Sequence, residues 1–182
     1  MNCLGVLLAA GASYRFGPQN KLLAPYRGKP LVNAAATALL GAGCEAVIAI
    51  LSAAEVADVV PMGIERHLLS PGQPMAASFR AAIDLAIARD AASLLVCLGD
   101  MPNITVALLH RLQAQTGSCA CGTGDWRMPP LLLRAADYNN AREVAIGDQG
   151  ARQFLKTLAP EAVVEITLAE ALDVDYPEDC PR

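Results

Sequence analysis

Aromatic residues and positive charge are both scarce in this chain of 182 residues. Phe, Trp and Tyr together make up 4% of it, and its formal net charge is -4 at pH 7. Proteins that bind nucleic acids usually offer a basic surface, and those that bind single strands add aromatic platforms. The composition therefore argues against a nucleic-acid-binding protein. Cations that stand close together in such a chain are expected to serve a small anionic ligand.

The chain also lacks any uninterrupted apolar run of about 18 residues, the length that a membrane-spanning helix needs. Its first residues, MNCLGVLLAAGASYR, carry no basic residue before the apolar stretch, unlike a secretory signal peptide. We therefore expect a cytoplasmic protein that does not act on membranes.

Paired cysteines of the C-x-x-C type are absent, and the only histidines are His67 and His110. A zinc site normally requires such pairs and more histidines. No Ser-His-Asp or Cys-His arrangement is evident either. We expect free thiols, mostly buried, at the six cysteines: Cys3, Cys44, Cys97, Cys119, Cys121 and Cys180.

Apolar runs of strand length alternate with longer alanine-rich stretches, a pattern typical of a parallel sheet covered by helices on both faces. We expect residues 1–182 to form one three-layer αβα domain with a Rossmann-like, mostly parallel sheet. The predicted strands are 3–9, 45–51, 66–69, 93–98, 118–122, 129–133 and 162–166. The predicted helices are 30–43, 53–60, 75–90, 104–116 (capped by Asn103), 135–143 and 149–158.

Ligands of such sheets bind beyond the carboxyl ends of the strands. The first segment there, LAAGASYRFGPQNKLL, combines a flexible glycine, Gly11, with two cations, Arg15 and Lys21. Backbone N–H groups of a glycine turn and such cations suit a triphosphate. Neither the G-x-G-x-x-G fingerprint nor the G-x-x-x-x-G-K-[ST] loop is present. From these residues alone, an ordinary strand-to-helix turn with solvated cations is an equal alternative.

A second segment, GDMP, follows the predicted strand 93–98. Asp100 stands at the carboxyl end of this strand, where an acid can bind Mg²⁺ and the phosphates that accompany it. The alternative is that Asp100 is only a loop residue.

The first segment resembles the signature L-A-[AG]-G-x-S-x-R-[FM]-G-x-x-[DN]-K-x-L of the nucleotidyltransferases that activate molybdenum cofactor. This resemblance implies that Arg15 and Lys21 hold the triphosphate, and that Ala9-Ala10 is similar to the cytidylyltransferase branch, which favours CTP and leaves GTP open. It assigns substrate-binding roles to Leu8, Ala9, Ala10, Gly11 and Ser13.

GDMP resembles the metal-binding motif of the same family, which implies that Asp100 is catalytic and binds Mg²⁺. The tail LDVDYPEDCPR resembles the family's D-[IV]-D-T-P-E-D pattern, with Tyr176 in place of threonine. By this resemblance Asp175 is a second Mg²⁺ ligand that faces Asp100. The alternative is a solvated acidic end.

Two further stretches resemble family elements. Gly72 and Ser78 in SPGQPMAASFRAAI resemble a run that lines the nucleotide pocket, and Ser70 stands where asparagine is frequent. A loop with a helix cap is the alternative there. IGDQGARQFL resembles the G-D-x-G-A-R element, in which Asp148 would cap a helix and Arg152 would meet the pterin phosphate or stay structural.

The stretch DWRMPPLLL resembles R-G-x-P-V-L-F, the part that faces the acceptor, but Met128 replaces the small glycine. Taken together, the resemblances imply a Mg²⁺-dependent transfer of CMP from CTP to molybdopterin, with a molybdoenzyme as a possible recipient of the product. The alternatives are another phosphorylated acceptor, such as a sugar phosphate, and a non-catalytic nucleotide or cofactor carrier. The missing glycine fingerprint disfavours a dinucleotide-dependent oxidoreductase.

Overall fold

The computed structural model describes residues 2–11, 16–17 and 19–180, and within them nine strands pair into two sheets. The strands are β1 (Cys3–Ala9), β2 (Pro25–Tyr26), β3 (Lys29–Pro30), β4 (Ala46–Leu51), β5 (Glu65–Leu68), β6 (Ser93–Leu98), β7 (Cys119–Thr123), β8 (Trp126–Arg134) and β9 (Val163–Glu165). Seven of them form the main sheet, in the order β5-β4-β1-β6-β8-β7-β9. The hairpin β2–β3 stands apart as the second sheet.

The main sheet is mostly parallel, as the alternation of apolar runs predicts. β5, β4, β1 and β6 run in one direction, and β8 alone runs against its neighbours β6 and β7. β1 lies at the centre and is paired on both sides, in register with Ala46–Leu51 and Ser93–Leu98. Its nearly continuous burial explains why its sequence shows no polar alternation.

Helices cover both faces of this sheet, which confirms the three-layer αβα fold. Side chains alternate along β1, so that Cys3 and Leu7 join one apolar cluster and Leu4 and Val6 join the other. The first cluster includes α1 (Val32–Leu40), α2 (Ala54–Val59) and α4 (Val106–Gln113). The second includes α3 (Met75–Ala88), α5 (Tyr138–Val144) and α6 (Arg152–Thr157). Among the described residues, every helix is too short or too polar to cross a membrane.

The start of α1 differs from the prediction because residue Pro30 belongs to a hairpin rather than to the helix. Pro25 pairs with Pro30, and Arg27 and Gly28 form the turn with φ values of 50° and 80°. Glycine adopts such angles freely, which makes a two-residue turn possible here.

The prediction that Asn103 caps the fourth helix is wrong. Thr105 caps α4 instead, since its hydroxyl oxygen accepts a hydrogen bond from the N–H of Leu108 at 3.1 Å. Asn103 accepts from the hydroxyl of Tyr26 at 2.9 Å and donates to the carbonyl of Ala169 at 2.7 Å. It therefore ties the β2–β3 hairpin to the segment that leads into the acidic end of the chain.

Candidate active site

The carboxyl ends of β1, β4, β5 and β6 meet at one edge of the main sheet, here called the carboxyl edge. Three of the predicted site segments begin at this edge, after β1, β5 and β6. The acidic tail, defined as residues 173–179, reaches the same edge because the N–H of Val174 donates to the carbonyl of Asp100 at 3.0 Å. Segments far apart in sequence are thus assembled at one place.

A lysine lies between two carboxylates at the carboxyl edge. Nζ of Lys21 is 2.7 Å from Oδ2 of Asp100 and 3.2 Å from Oδ1 of Asp175. Lys21 begins a single 3₁₀ turn, Lys21–Leu23, whose cap is Asn20, since Oδ1 of Asn20 accepts from the N–H of Leu22 at 3.1 Å. The three residues that the sequence associates with phosphate and metal chemistry are therefore in direct contact.

The Lys21 side chain is largely buried, with 11% of it exposed, against 21% for Asp100 and 27% for Asp175. Burial by itself lowers the pKa of the Lys21 ammonium, but the charges of Asp100 and the acidic tail outweigh burial, so the pKa lies above its ordinary value. Lys21 is therefore a fixed cation at neutral pH.

Close packing before Asp100 fixes its position. The N–H of Gly99 donates to the carbonyl of Leu8 at 2.9 Å, which extends the pairing of β6 with β1 beyond its last residue. A Cβ atom at Gly99 would lie 3.3 Å from side-chain atoms of both Leu22 and Val32. With a larger residue, Leu22, next to Lys21 in the same turn, would have to move by a few tenths of an ångström.

Contacts of Val174 and Asp179 hold the acidic tail in place. Val174 is fully buried against Tyr26 and Leu31, which anchors the residue before Asp175. Oδ2 of Asp179 then accepts from the N–H groups of both Asp175 and Tyr176, at 2.9 and 2.8 Å. These N–H groups lower the pKa of Asp179, so its carboxylate is charged at neutral pH and keeps the tail folded over Lys21.

The two carboxylates at Lys21 fit a divalent cation that arrives with a nucleotide. Within the described ranges, no three His, Cys, Asp or Glu side chains converge as a protein-only metal cage. Mg²⁺ typically uses one or two carboxylates and takes its other ligands from phosphates and water. Oδ1 of Asp100 is buried and makes no hydrogen bond with any described group, so it has an oxygen available for such an ion.

The first loop is described only in part. Ala9 is buried, Gly11 is exposed, and a Cβ atom at Gly11 would meet no described atom within 4 Å. Ser13 and Arg15, which the sequence assigns to substrate binding, lie outside the described residues.

The neighbouring residues show a contact that the sequence analysis missed. Leu8 packs against the second apolar cluster, and Ala10 follows it at the carboxyl edge. The hydroxyl of Ser52, just after β4, donates to the carbonyl of Ala10 at 3.0 Å. A serine directly after a buried strand is the only signal that could have indicated this contact.

The loop before α3 contains Ser70, which is exposed, and Gly72, whose φ is 76°. Ser78 donates its hydroxyl hydrogen to the carbonyl of Met75 at 2.9 Å, within its own helix. The loop itself lies beyond β5 at the carboxyl edge.

The predicted role of Asp148 as the cap of its own helix is wrong. Residues 147–149 form a separate 3₁₀ turn, and α6 begins later, at Arg152. Oδ1 of Asp148 instead accepts the N–H of Met75, the first residue of α3, at 3.3 Å. The helix that was expected to present its N-terminus to a phosphate has only six residues, and Arg152 is exposed at its start.

The hairpin of β7 and β8 brings a further surface to the carboxyl edge, because β8 is antiparallel to β6. Trp126 is 78% exposed there, and Met128 follows two residues later in β8. Arg127 donates to the carbonyls of Leu155 and Lys156, each at 3.2 Å, and so closes the C-terminal end of α6. Arg127 therefore has a structural role in this chain.

Fold and site together define an α/β domain of the nucleotidyltransferase type. A sequence comparison is specific: the chain belongs to the family of MobA-like NTP transferase domains, whose model matches residues 5–163. This confirms the family that the first-loop signature indicates.

Two relatives carry different names. A molybdenum cofactor guanylyltransferase of Xanthomonas euvesicatoria pv. vesicatoria is 30% identical over 154 residues, which covers 85% of this chain and 76% of that protein. A nicotine blue oxidoreductase of Paenarthrobacter nicotinovorans is 32% identical over 167 residues, which covers 84% of this chain and 80% of that protein.

Solved structures share the fold over nearly the whole chain. Rv0371c of Mycobacterium tuberculosis H37Rv matches with a TM-score of 0.77 at 26% identity, covering 98% of this chain and 96% of that one. A complex of Rv0371C of the same organism with manganese matches with a TM-score of 0.76 at 23% identity, covering 98% of this chain and 96% of that one. A nucleotidyl transferase from Methanothermobacter matches at 0.80 and 20%, covering 98% and 94%.

Proposed function

We propose that residues 1–182 form one nucleotidyltransferase domain that transfers CMP from CTP to the phosphate of molybdopterin and releases pyrophosphate. The observation that carries this proposal is the contact of Lys21 with both Asp100 and Asp175 at the carboxyl edge, beside the Gly11 loop. A cation between two acids is suited to exchange its partners for a triphosphate and a divalent ion. The family assignment and the guanylyltransferase relative support it.

The reaction forms a bond between an acceptor phosphate oxygen and the α-phosphorus of the nucleotide, and it breaks the bond from that phosphorus to the pyrophosphate. Lys21 binds the triphosphate and orients it, with Arg15 as the second cation. A phosphate monoester is already largely ionised near neutral pH, so the acceptor requires no strong general base. Catalysis then consists mainly of positioning and charge stabilisation.

Asp100 and Asp175 would hold Mg²⁺ or Mn²⁺. When bound, the ion neutralises negative charge on the phosphates. The manganese complex of a structural neighbour supports a divalent ion in this fold. Burial of the Asp100 oxygen that makes no hydrogen bond supports Asp100 as the principal ligand.

Fewer observations support the choice of nucleotide and acceptor. Ala10 favours CTP, whereas the name of one relative favours GTP. Trp126 and Met128, at the same edge, are the residues that we expect to contact the acceptor. We also propose a reducing, cytoplasmic location, since all six cysteines are free. The family assignment supports a molybdoenzyme as recipient of the product.

The decisive experiment incubates the protein with Mg²⁺ or Mn²⁺, molybdopterin and each of the four nucleoside triphosphates, and then measures pyrophosphate and product mass. We expect the CMP adduct with CTP. Lys21→Ala should weaken CTP binding about 10- to 100-fold, since a hydrogen bond to a charged group contributes about 1.5–3 kcal/mol. Lys29→Ala, an exposed lysine in β3, is the matched control.

Three results would lead to other functions. A GMP adduct would replace CTP by GTP. Pyrophosphate release with a sugar phosphate but not with molybdopterin would replace the acceptor. Nucleotide binding without turnover on any acceptor would identify a carrier.

An oxidoreductase is a second candidate, favoured by the relative named nicotine blue oxidoreductase. It predicts that NADH or NADPH is oxidised when a dye substrate of that kind is present. Absorbance at the nicotinamide band measures this directly. We expect no such loss, because Gly11 is followed by Ala12 and Ser13 rather than by the glycines of a dinucleotide loop.

A further inference from the structure

Two cysteines meet at the edge of the sheet opposite the candidate active site. Sγ of Cys44 lies 3.8 Å from Sγ of Cys3, although 41 positions separate the two residues. Cys3 begins β1, and Cys44 lies in the turn between α1 and β4. The N–H of Glu45 donates to the carbonyl of Cys3 at 2.9 Å, which fixes this turn against the strand.

Local packing leaves room for this pair. Gly5 faces Cys44 from β1, and a Cβ atom at that position would lie 3.1 Å from Sγ of Cys44. A larger residue than glycine would therefore press on the Cys44 sulfur. The two sulfurs already stand within about twice the length of a disulfide bond, so only a small movement separates them from bonding distance.

Polar groups around Cys3 favour its thiolate. The Cys44 thiol donates towards Cys3, and Nε2 of Gln113 lies 3.8 Å from both sulfurs. The hydrogen bond from Cys44 is the largest influence, burial opposes it, and Ser93, Gln113 and the charge of Arg134 add to it. Together they lower the pKa of Cys3 to about 6. The same contact raises the pKa of Cys44, which stays protonated as the donor.

The remaining buried cysteines differ from Cys3. Burial raises the pKa of Cys119 to about 11 and that of Cys121 to about 12, and it also raises that of Cys97. Protonated thiols in an apolar environment react slowly. Cys3 also lines a cavity of about 320 Å³, together with Asn2 and Glu45.

We propose that Cys3 and Cys44 form a thiol–disulfide exchange site, in which Cys3 is the nucleophile and Cys44 resolves the adduct. The oxidant is a low-molecular-weight disulfide such as oxidised glutathione. The Cys3 thiolate attacks one sulfur of the oxidant, forms a mixed disulfide and releases the first thiolate. Cys44 then loses its proton to solvent or to that thiolate and attacks Sγ of Cys3. The second thiol leaves, so the protein loses two hydrogens and the oxidant gains two.

This site is independent of the transfer reaction. The seven residues of β1 separate Cys3 from the carboxyl edge by about 20 Å, at about 3.3 Å per residue. The exchange is therefore measured on the protein alone, without nucleotide or acceptor. Failure of one proposal leaves the other intact.

The test treats reduced protein with oxidised glutathione and follows its intact mass, followed by a peptide map under non-reducing conditions. Wild type should lose two hydrogens and yield one cross-linked peptide pair, Cys3 with Cys44, and dithiothreitol should reverse the change. Cys44→Ser should stop at one glutathione adduct on Cys3. Cys180→Ser, a change at the remote C-terminal cysteine, should behave as wild type in forming the cross-link.

The map of wild type decides the proposal even where a variant does not fold. A cross-link between other cysteines, a stable glutathione adduct on Cys3 in wild type, or no reaction at all would overturn it. Cys3→Ser tests the order of the steps: Cys44 should then remain a free thiol. Rapid glutathione capture by Cys44 in that variant would contradict the assignment of Cys3 as nucleophile.

Discussion

Nζ of Lys21 lies 2.7 Å from Oδ2 of Asp100, although the lysine follows the first loop and the aspartate follows β6. Asp175 adds a second carboxylate at 3.2 Å. The Lys21 ammonium thus offsets part of the negative charge of two acids. Any divalent ion or triphosphate that binds here must change these contacts of Lys21.

Replacement of Asp100 by asparagine should lower the rate of nucleotidyl transfer at least about 100-fold, a loss comparable to removal of one stabilising group in other active sites. Asparagine keeps the size of the side chain and removes its charge, so the fold should be retained, with some loss of thermal stability because the largely buried Lys21 loses one of its acid partners. Pyrophosphate release under saturating Mg²⁺ measures the rate. Asp58→Asn, an exposed position in α2, is the control for charge. Full turnover in the Asp100 variant would exclude a metal role.

Removal of the lysine charge should increase the affinity of the nucleotide-free protein for Mn²⁺. Lys21 is the cation that Asp100 and Asp175 now share, and an incoming ion must compete with it. Lys21→Met keeps the apolar stem and removes the ammonium group from beside Asp100 and Asp175. We expect Mn²⁺ to bind about tenfold more tightly, as measured by the paramagnetic resonance signal of free Mn²⁺. Equal or weaker binding would mean that the carboxylates are not the ion's ligands.

A methyl group at Gly99 should disturb both sides of the site. Its Cβ would press on Leu22 and Val32 at 3.3 Å, so Gly99→Ala should cost about 1–3 kcal/mol of unfolding free energy. Gly117→Ala is the matched control, because a Cβ there meets no described atom within 4 Å. Urea unfolding measures both. A neutral Gly99→Ala would show that the turn carrying Lys21 does not depend on this packing.

Asp179 should act as a positioning residue for Asp175. Without its carboxylate the N–H groups of Asp175 and Tyr176 lose their acceptor, so Asp179→Ala should weaken Mn²⁺ binding about 3- to 10-fold. Asp179→Asn, which retains an acceptor oxygen, should restore part of the affinity. Glu178→Ala, its neighbour in the same 3₁₀ turn, is the control. Identical losses in the two alanine variants would refute a specific role.

The same contact sets a pH dependence. The N–H groups of Tyr176 and Asp175 lower the pKa of Asp179 in the folded protein. The stabilisation is therefore present above the ordinary aspartate pKa and is lost as the pH falls through the lowered value. A titration of the Asp179 carboxyl by NMR should give a pKa below that of a model aspartate. The hydrogen bonds from Asp175 and Tyr176 to Asp179 should persist at neutral pH.

The carboxyl edge could be predicted because parallel strands end at the same side of a sheet. Apolar runs without polar alternation identified β1 and β6, so the segments that carry Lys21 and Asp100 were expected at the same edge. The direct contact between the two side chains was not predicted. For the acidic tail, the resemblance to the D-[IV]-D-T-P-E-D pattern led us to expect Asp175 opposite Asp100. Burial of Val174 and its bond to Asp100 bring it there, and neither is visible as a pattern.

Other features depend on partners distant in sequence. Asn103 and Thr105 are both good capping residues, and only the contacts of Asn103 with Tyr26 and Ala169 decide between them. Asp148 caps a helix other than its own, so local spacing misassigns it. The strands β2 and β3 have two residues each, which is too short for any periodicity to appear.

The reversed direction of β8 places its two ends in different environments. Its exposed beginning, at Trp126, stands on the same rim as the first loop, while its later part, Leu131 to Leu133, is buried in the sheet. Residues at this exposed beginning can therefore be replaced without disturbing the buried part of the strand. Such replacements would change the surface that the hairpin offers to a ligand, while the sheet that carries Asp100 keeps its packing.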